Sequence, residues 1–227
     1  MKFIVFGLGH FGAALSIQLV KLGHEVIAVD QKLEVVDNYK HLITHAVALD
    51  ATNQNAVEQL PINDLSAAIV GIGENEGANI MATALLKQLG IKRIICRVTS
   101  PLQKIVLEAM DIHEFVYPET SSAERLALKL DMPGVIDSFQ INPNYRLLEV
   151  GVPGRYINKR IDELELAGKY RLVLVTTLKK TINKNSFGHE KPELKVSGIV
   201  SSDTRLLAGD VLLLFGAPPD LEAFING

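Results

Sequence analysis

Near its start the chain reads Phe3-Ile4-Val5-Phe6-Gly7-Leu8-Gly9-His10-Phe11-Gly12-Ala13-Ala14, and this stretch decides the fold. Phe3 to Phe6 is a short apolar run that predicts a buried strand. Gly7-x-Gly9-x-x-Gly12 follows as a turn, and a helical pattern runs from about Phe11 to Leu22, with Gly23 as its stop. A GxGxxG motif alone is weak; between a strand and a helix it predicts a dinucleotide-binding turn. Gly7 then permits the tight turn, Gly9 lets backbone approach a pyrophosphate, and Gly12 permits close helix–sheet packing. The helix start at His10 and Phe11 offers unpaired N–H groups and a partial positive charge to phosphates.

Working outward, short β-branched runs alternate with helical patterns as far as Asp131. Strands are predicted at 3–6, 25–29, 45–49, 67–70, 93–96 and 114–117, and a helix at 75–89 stopped by Gly90. The alternation predicts an α/β fold, a Rossmann-like doubly wound parallel sheet. Asp30 closes the second strand near the 20-residue offset of an acid that binds ribose hydroxyls, and its charge disfavours a 2′-phosphate. Asp50-Ala51 and Ile72-Gly73 follow the third and fourth strands, at the carboxyl edge where such sheets bind ligands. Asp50 is a candidate for adenine contact, and either Asp50 or Thr52 could instead cap the next helix.

From Ser122 to Leu130, the residues Ala123, Leu126, Ala127 and Leu130 share one helical face. That stripe packs on its own sheet or covers a neighbouring subunit. Met132-Pro133-Gly134 breaks the helix, so the domains are expected at 1–131 and 139–227 with a hinge over 132–138. The second, smaller domain reads as α+β, with strands at 147–152, 171–178 and 211–215 and helices near 161–167 and 219–225. The polar stretch 179–192 reads as an exposed loop or hairpin tip.

Of the 227 residues, 48% are hydrophobic and 22% charged, the composition of a soluble globular protein. No apolar run approaches the roughly 20 residues of a membrane span, and no signal segment precedes the first strand, which predicts a cytoplasmic protein. The net charge of −3, without a concentrated basic patch, argues against nucleic acid as a partner. The single cysteine, Cys96, lies in an apolar run and reads as a buried small hydrophobe.

With GLGHFG, Asp30, the LDAT at 49–52, the GIGEN at 71–75, Arg97 after the fifth strand, YPE at 117–119 and AGDVLLLFG at 208–216, the chain resembles the regulatory subunits of Trk/Ktr-type potassium uptake, whose domains are called RCK or KTN. The resemblance implies a C-terminal RCK domain and a nucleotide sensor rather than an enzyme. It implies pairing into a homodimer, assembly into an octameric ring, and docking on a membrane subunit that conducts potassium. The nucleotides implied are ATP, ADP, NAD or NADH, with Gly7, Gly9 and Gly12 under the phosphates, Asp30 and Asp50 on ribose and adenine, and Arg97 near the phosphates. Glu119 matches a ligand for a cation such as magnesium or calcium, or else simply favours the dipole of the next helix. His10 stands where relatives often carry arginine. Some relatives bind cyclic di-AMP at a segment matching 156–170, where Ile157, Ile161 and Leu164 also fit as core residues.

Fold and fingerprint alone do not separate a sensor from an NAD-dependent oxidoreductase. No His–acid pair, lysine or Ser–Tyr–Lys set for that chemistry is evident in the second domain.

Overall fold

The computed structural model describes residues 1–184 and 190–227. The chain divides into two compact units, Met1–Glu119 and Thr120–Gly227. In the first, β1 (Lys2–Phe6), β2 (Glu25–Asp30), β3 (His45–Ala48), β4 (Ala67–Val70), β5 (Ile94–Arg97) and β6 (Glu114–Val116) form one sheet in the order β3-β2-β1-β4-β5-β6. Every pairing is parallel. This is the strand order of the Rossmann fold.

Between the strands run α1 (His10–Lys21), α2 (Leu33–Tyr39), α3 (Gln54–Val57), α4 (Glu76–Gln88) and α5 (Pro101–Ala109); α6 (Pro118–Asp131) follows β6. Ile4 and Phe6 enter one core and Val5 the other, so β1 is buried on both faces. That explains its unbroken apolar run. Each such side chain, fully buried, contributes roughly 1.5–3 kcal/mol. Asn53, Asn75 and Ser100 cap α3, α4 and α5 by accepting from backbone N–H groups. The order reverses between β1 and β4, where the Gly71 N–H donates to the Phe6 carbonyl at 2.7 Å.

The second unit is an antiparallel sheet of β7 (Val135–Asn142), β8 (Tyr145–Gly151), β9 (Val173–Lys184), β10 (Glu190–Val196) and β11 (Val211–Gly216), ordered β10-β9-β11-β8-β7. With it come α7 (Leu166–Tyr170) and α8 (Pro218–Asn226). Phe224 of α8 stacks on Tyr156 at 4.8 Å and meets Tyr170 edge-on at 5.3 Å, within a core that includes Leu148, Leu172, Leu212 and Leu214.

Four expectations are modified here. Residues 132–138 do not form a free hinge: Met132 and Val135 are buried in the second core and β7 begins at Val135. The stretch 179–192 is mostly strand, to Lys184 and from Glu190, while 185–189 lie outside the described residues. The helix expected at 161–167 is a 3₁₀ turn, Asp162–Leu164, then α7, separated by Glu165 at φ 49°. On α6 the stripe of Ala123, Leu126, Ala127 and Leu130 is exposed, while Leu128 packs against the second core. No helix among the described residues is long and apolar enough to cross a membrane.

Candidate functional site

A cleft of about 320 Å³ opens at the carboxyl edge of the parallel sheet, where the strand order reverses. That volume lies within the range of small-molecule sites, about 300–1,000 Å³. It is lined by Gly7, Gly9, His10, Phe11, Asp30, Asp50, Ala51, Ile72, Gly73, Arg97 and Glu119. Of the residues expected at the nucleotide site, Gly12 alone does not line it.

The glycines have different tasks. Gly7 has φ +93°, which side-chain-bearing residues rarely adopt, and a Cβ there would lie 3.0 Å from the Ile72 amide nitrogen. At Gly12 a Cβ would sit 1.9 Å from the Gly7 carbonyl oxygen, so Gly12 serves the crossing of α1 over the turn. At Gly9 a Cβ would meet no protein atom within 4 Å. The space above Gly9 therefore belongs to the cleft. Gly9 is also the N-cap of α1, with no side-chain cap and no acid in the first turn, so N–H groups and the dipole's positive end face that space uncompensated.

Asp30 accepts from the Leu8 N–H at 2.8 Å through Oδ2 and from the Lys32 N–H at 2.9 Å through Oδ1. It thus holds the glycine turn to the end of β2, and each oxygen retains a lone pair for a hydroxyl. Asp50 Oδ1 accepts from the Thr52 N–H at 2.9 Å and hydroxyl at 2.8 Å. These two bonds hold the Asp50 carboxyl below the usual carboxylate range. Neither Asp50 nor Thr52 caps α3, since Asn53 does.

Arg97 ends β5 with its guanidinium over Gly73, where a Cβ would lie 2.4 Å from Cζ. Its Nη1 donates to the Gly71 carbonyl at 3.3 Å, its Nη2 donates to Glu119, and its buried Nε has no partner among the described residues. Glu119, in the first turn of α6, therefore has an arginine as its partner. Among the described residues no group of three or more His, Cys, Asp or Glu could hold a metal ion. A cation at Glu119 would take its other ligands from phosphate oxygens.

The lining also includes Leu8, within the glycine motif, Glu74 and Asn75, within GIGEN, none of which was given a role, and Lys32, which no motif announced; behind it lies Asn79, which read only as part of a helical pattern. Four acids, Asp30, Asp50, Glu74 and Glu119, line the cleft against two permanent cations, Lys32 and Arg97. In the second unit Ile161 and Leu164 are packed into the core.

A family model described as the TrkA-N domain matches residues 3–118. Ktr system potassium uptake protein A of Bacillus subtilis (strain 168) is 32% identical over 169 residues, 74% of this chain and 76% of that protein. Ktr system potassium uptake protein C of the same organism is 30% identical over 174 residues, 77% of this chain and 79% of that protein. Among solved structures, the GsuK RCK domain has a TM-score of 0.65 at 16% identity, covering 100% of this chain and 48% of that one. The GsuK channel bound to NAD has the same score at 17% identity, covering 100% and 39%. This chain thus spans less than half the length of the GsuK chains it matches, and that likeness shows the fold.

Proposed function

This chain belongs to the TrkA-N domain family, and on that premise we propose that it senses an adenine nucleotide and regulates a membrane potassium-uptake subunit of the Trk/Ktr type. The observation that carries the proposal is the cleft: an uncapped helix start, a glycine with open space above it, and an arginine with an unpartnered Nε converge where phosphates would sit. Asp30 and Asp50, on β2 and after β3, stand on the side suited to ribose and adenine. NAD in a structure of the same fold and potassium uptake in the names of the relatives support the two halves of the reading.

The nucleotide acts as a signal. Asp50 is held more acidic than usual, the reverse of what a general base working near neutral pH needs. Asp30 and Glu119 are occupied in holding the glycine turn and Arg97. Phosphates entering above Gly9 compete with Glu119 for Arg97, and Glu119 opens α6, so occupancy of the cleft is felt at the start of that helix. The surplus of acids in the lining favours a divalent cation, magnesium or calcium, entering with the nucleotide. The exposed apolar stripe of α6 supports pairing of copies, which the reading extends to a homodimer within an octameric ring at the inner face of the cell membrane.

Titration calorimetry of the purified chain with ATP, ADP, NAD and NADH tests this. Saturable binding with the nucleotide recovered unchanged is expected. Absence of binding by all four, or oxidation of NADH on adding candidate substrates, would contradict it.

A further inference from the structure

Asn79 lies on α4 with its side chain wholly buried at 0% exposure, on a face shared with Ala82 and Leu86. Its Nδ2 is 2.8 Å from the Ile72 carbonyl, 3.2 Å from the Arg97 carbonyl and 3.4 Å from the Val70 carbonyl. One amide therefore donates across the carboxyl ends of both β4 and β5. Its Oδ1 has no hydrogen-bond partner among the described residues. The orientation is fixed by these neighbours, because turning the amide over would set its oxygen against carbonyl oxygens.

An unpartnered buried acceptor is destabilising, and the bonds the same amide donates offset that cost. The paired N–H donors are what the site uses, and the orphan oxygen comes with them. The carbonyls they hold belong to the two parts of the cleft assigned to phosphates. Ile72 is the centre of the Gly71–Gly73 segment, and Arg97 carries the guanidinium that lies over Gly73. Asp30 and Asp50 receive no bond from Asn79.

We propose that Asn79 is a positioning residue that locks Gly71–Gly73 and Arg97 in the geometry that receives the nucleotide's phosphates. This rests on the nucleotide reading above and assigns a role to a side chain that touches no ligand. Its consequence is differential. Removing the amide weakens binding in proportion to the phosphates a ligand carries and leaves the adenosine moiety's contribution in place.

The test uses the full chain with Asn79→Leu, which keeps the branching and heavy-atom count while removing both donors and the orphan acceptor. Affinities for adenosine and ADP are measured by calorimetry, beside the melting temperature. Adenosine is expected within about twofold of the unsubstituted chain and ADP about tenfold weaker or more. In an Arg97→Gln background the ADP deficit caused by Asn79→Leu should shrink, as for two groups acting together. If Asn79→Leu does not fold, Asn79→Ser, which leaves room for a water, is read by the same ratio. Equal losses for adenosine and ADP, or no loss for either, overturn the proposal. Failure of the unsubstituted chain to bind ADP overturns the nucleotide reading itself.

Discussion

Arg97 and Glu119 are partners: the guanidinium at the end of β5 donates through Nη2 to the carboxylate in the first turn of α6. Arg97 is mostly buried, with 17% of its side chain exposed, and Glu119 is open to solvent at 62%. A pair so exposed on one side is worth about 0–1 kcal/mol. Without divalent cation, Glu119→Gln should therefore tighten ADP binding by up to about fivefold, as Arg97 is freed for phosphate. With magnesium present the same substitution should reduce the tightening that the cation confers. Calorimetry in EDTA and in magnesium reads both, and weaker ADP binding in EDTA would show that Glu119 does not compete with phosphate.

Gly9 and Gly12 should fail in different ways. Gly9→Val adds a side chain where no protein atom lies within 4 Å, so the fold survives while the phosphate space is filled. Losing one or two phosphate hydrogen bonds at about 1.5–3 kcal/mol each weakens binding on the order of a hundredfold. Gly12→Ala places Cβ against the Gly7 carbonyl and should destabilise the protein by about 1–3 kcal/mol. Melting curves paired with titrations separate the two, and a fully folded Gly9→Val chain with unchanged affinity would remove the site assignment.

His10 is the first residue of α1 and lines the cleft beside Gly9. His10→Arg puts a permanent, forked donor at that helix start, so ATP should gain affinity over ADP by about fivefold to tenfold, the worth of one charge-assisted hydrogen bond at an exposed site. Competition of the two nucleotides on one sample measures the ratio. Equal gains for both, or none, would show that His10 does not face the terminal phosphate.

Asp50 carries a pH signature. Because the Thr52 N–H and hydroxyl lower its folded-state pKa, its contribution to stability is complete above the unfolded value of about 3.9 and is lost as pH falls through the lowered one. Nucleotide affinity that depends on its charge should therefore be flat from about pH 8 to pH 5. Asp50→Asn retains an acceptor for Thr52 but exchanges a charged acceptor for a neutral one, which should weaken adenosine binding by about tenfold or less. An affinity that drops between pH 6 and pH 5 in the unsubstituted chain but not in Asp50→Asn would contradict this state of the carboxylate.

The six strands of the first unit were legible because each is a short apolar run set between glycine stops and helical patterns, as at Phe3–Phe6 and Ala67–Val70. The same contrast is missing in β7 and β10. In β7, polar residues interrupt the apolar ones at Asp137, Ser138 and Gln140, just after Pro133-Gly134, which reads as a break. In β10 the edge strand Glu190–Val196 reads in sequence as a polar, proline-containing stretch, which imitates a loop.

At the site, the glycines, Asp30 and Asp50 could be located because motif spacing places them at strand ends, and Arg97 was pointed to by the family resemblance. Asn79 could not. Nothing in a helical pattern reveals that one polar residue on the inward face will donate to two strand ends, and the only signal was an asparagine among apolar neighbours in Gly77–Leu86.

The central claim, that nucleotide binding in this cleft is a signal passed to a potassium-conducting partner, is tested most directly by flux. Vesicles containing a Trk/Ktr-type membrane subunit would be loaded with potassium, and rubidium uptake measured with the chain present, with and without ADP, ATP, NAD or NADH. At least one nucleotide is expected to change the flux severalfold while being recovered intact, and Gly9→Val is expected to abolish that response without unfolding. Flux that is indifferent to every nucleotide, or a response that Gly9→Val leaves untouched, would contradict the account.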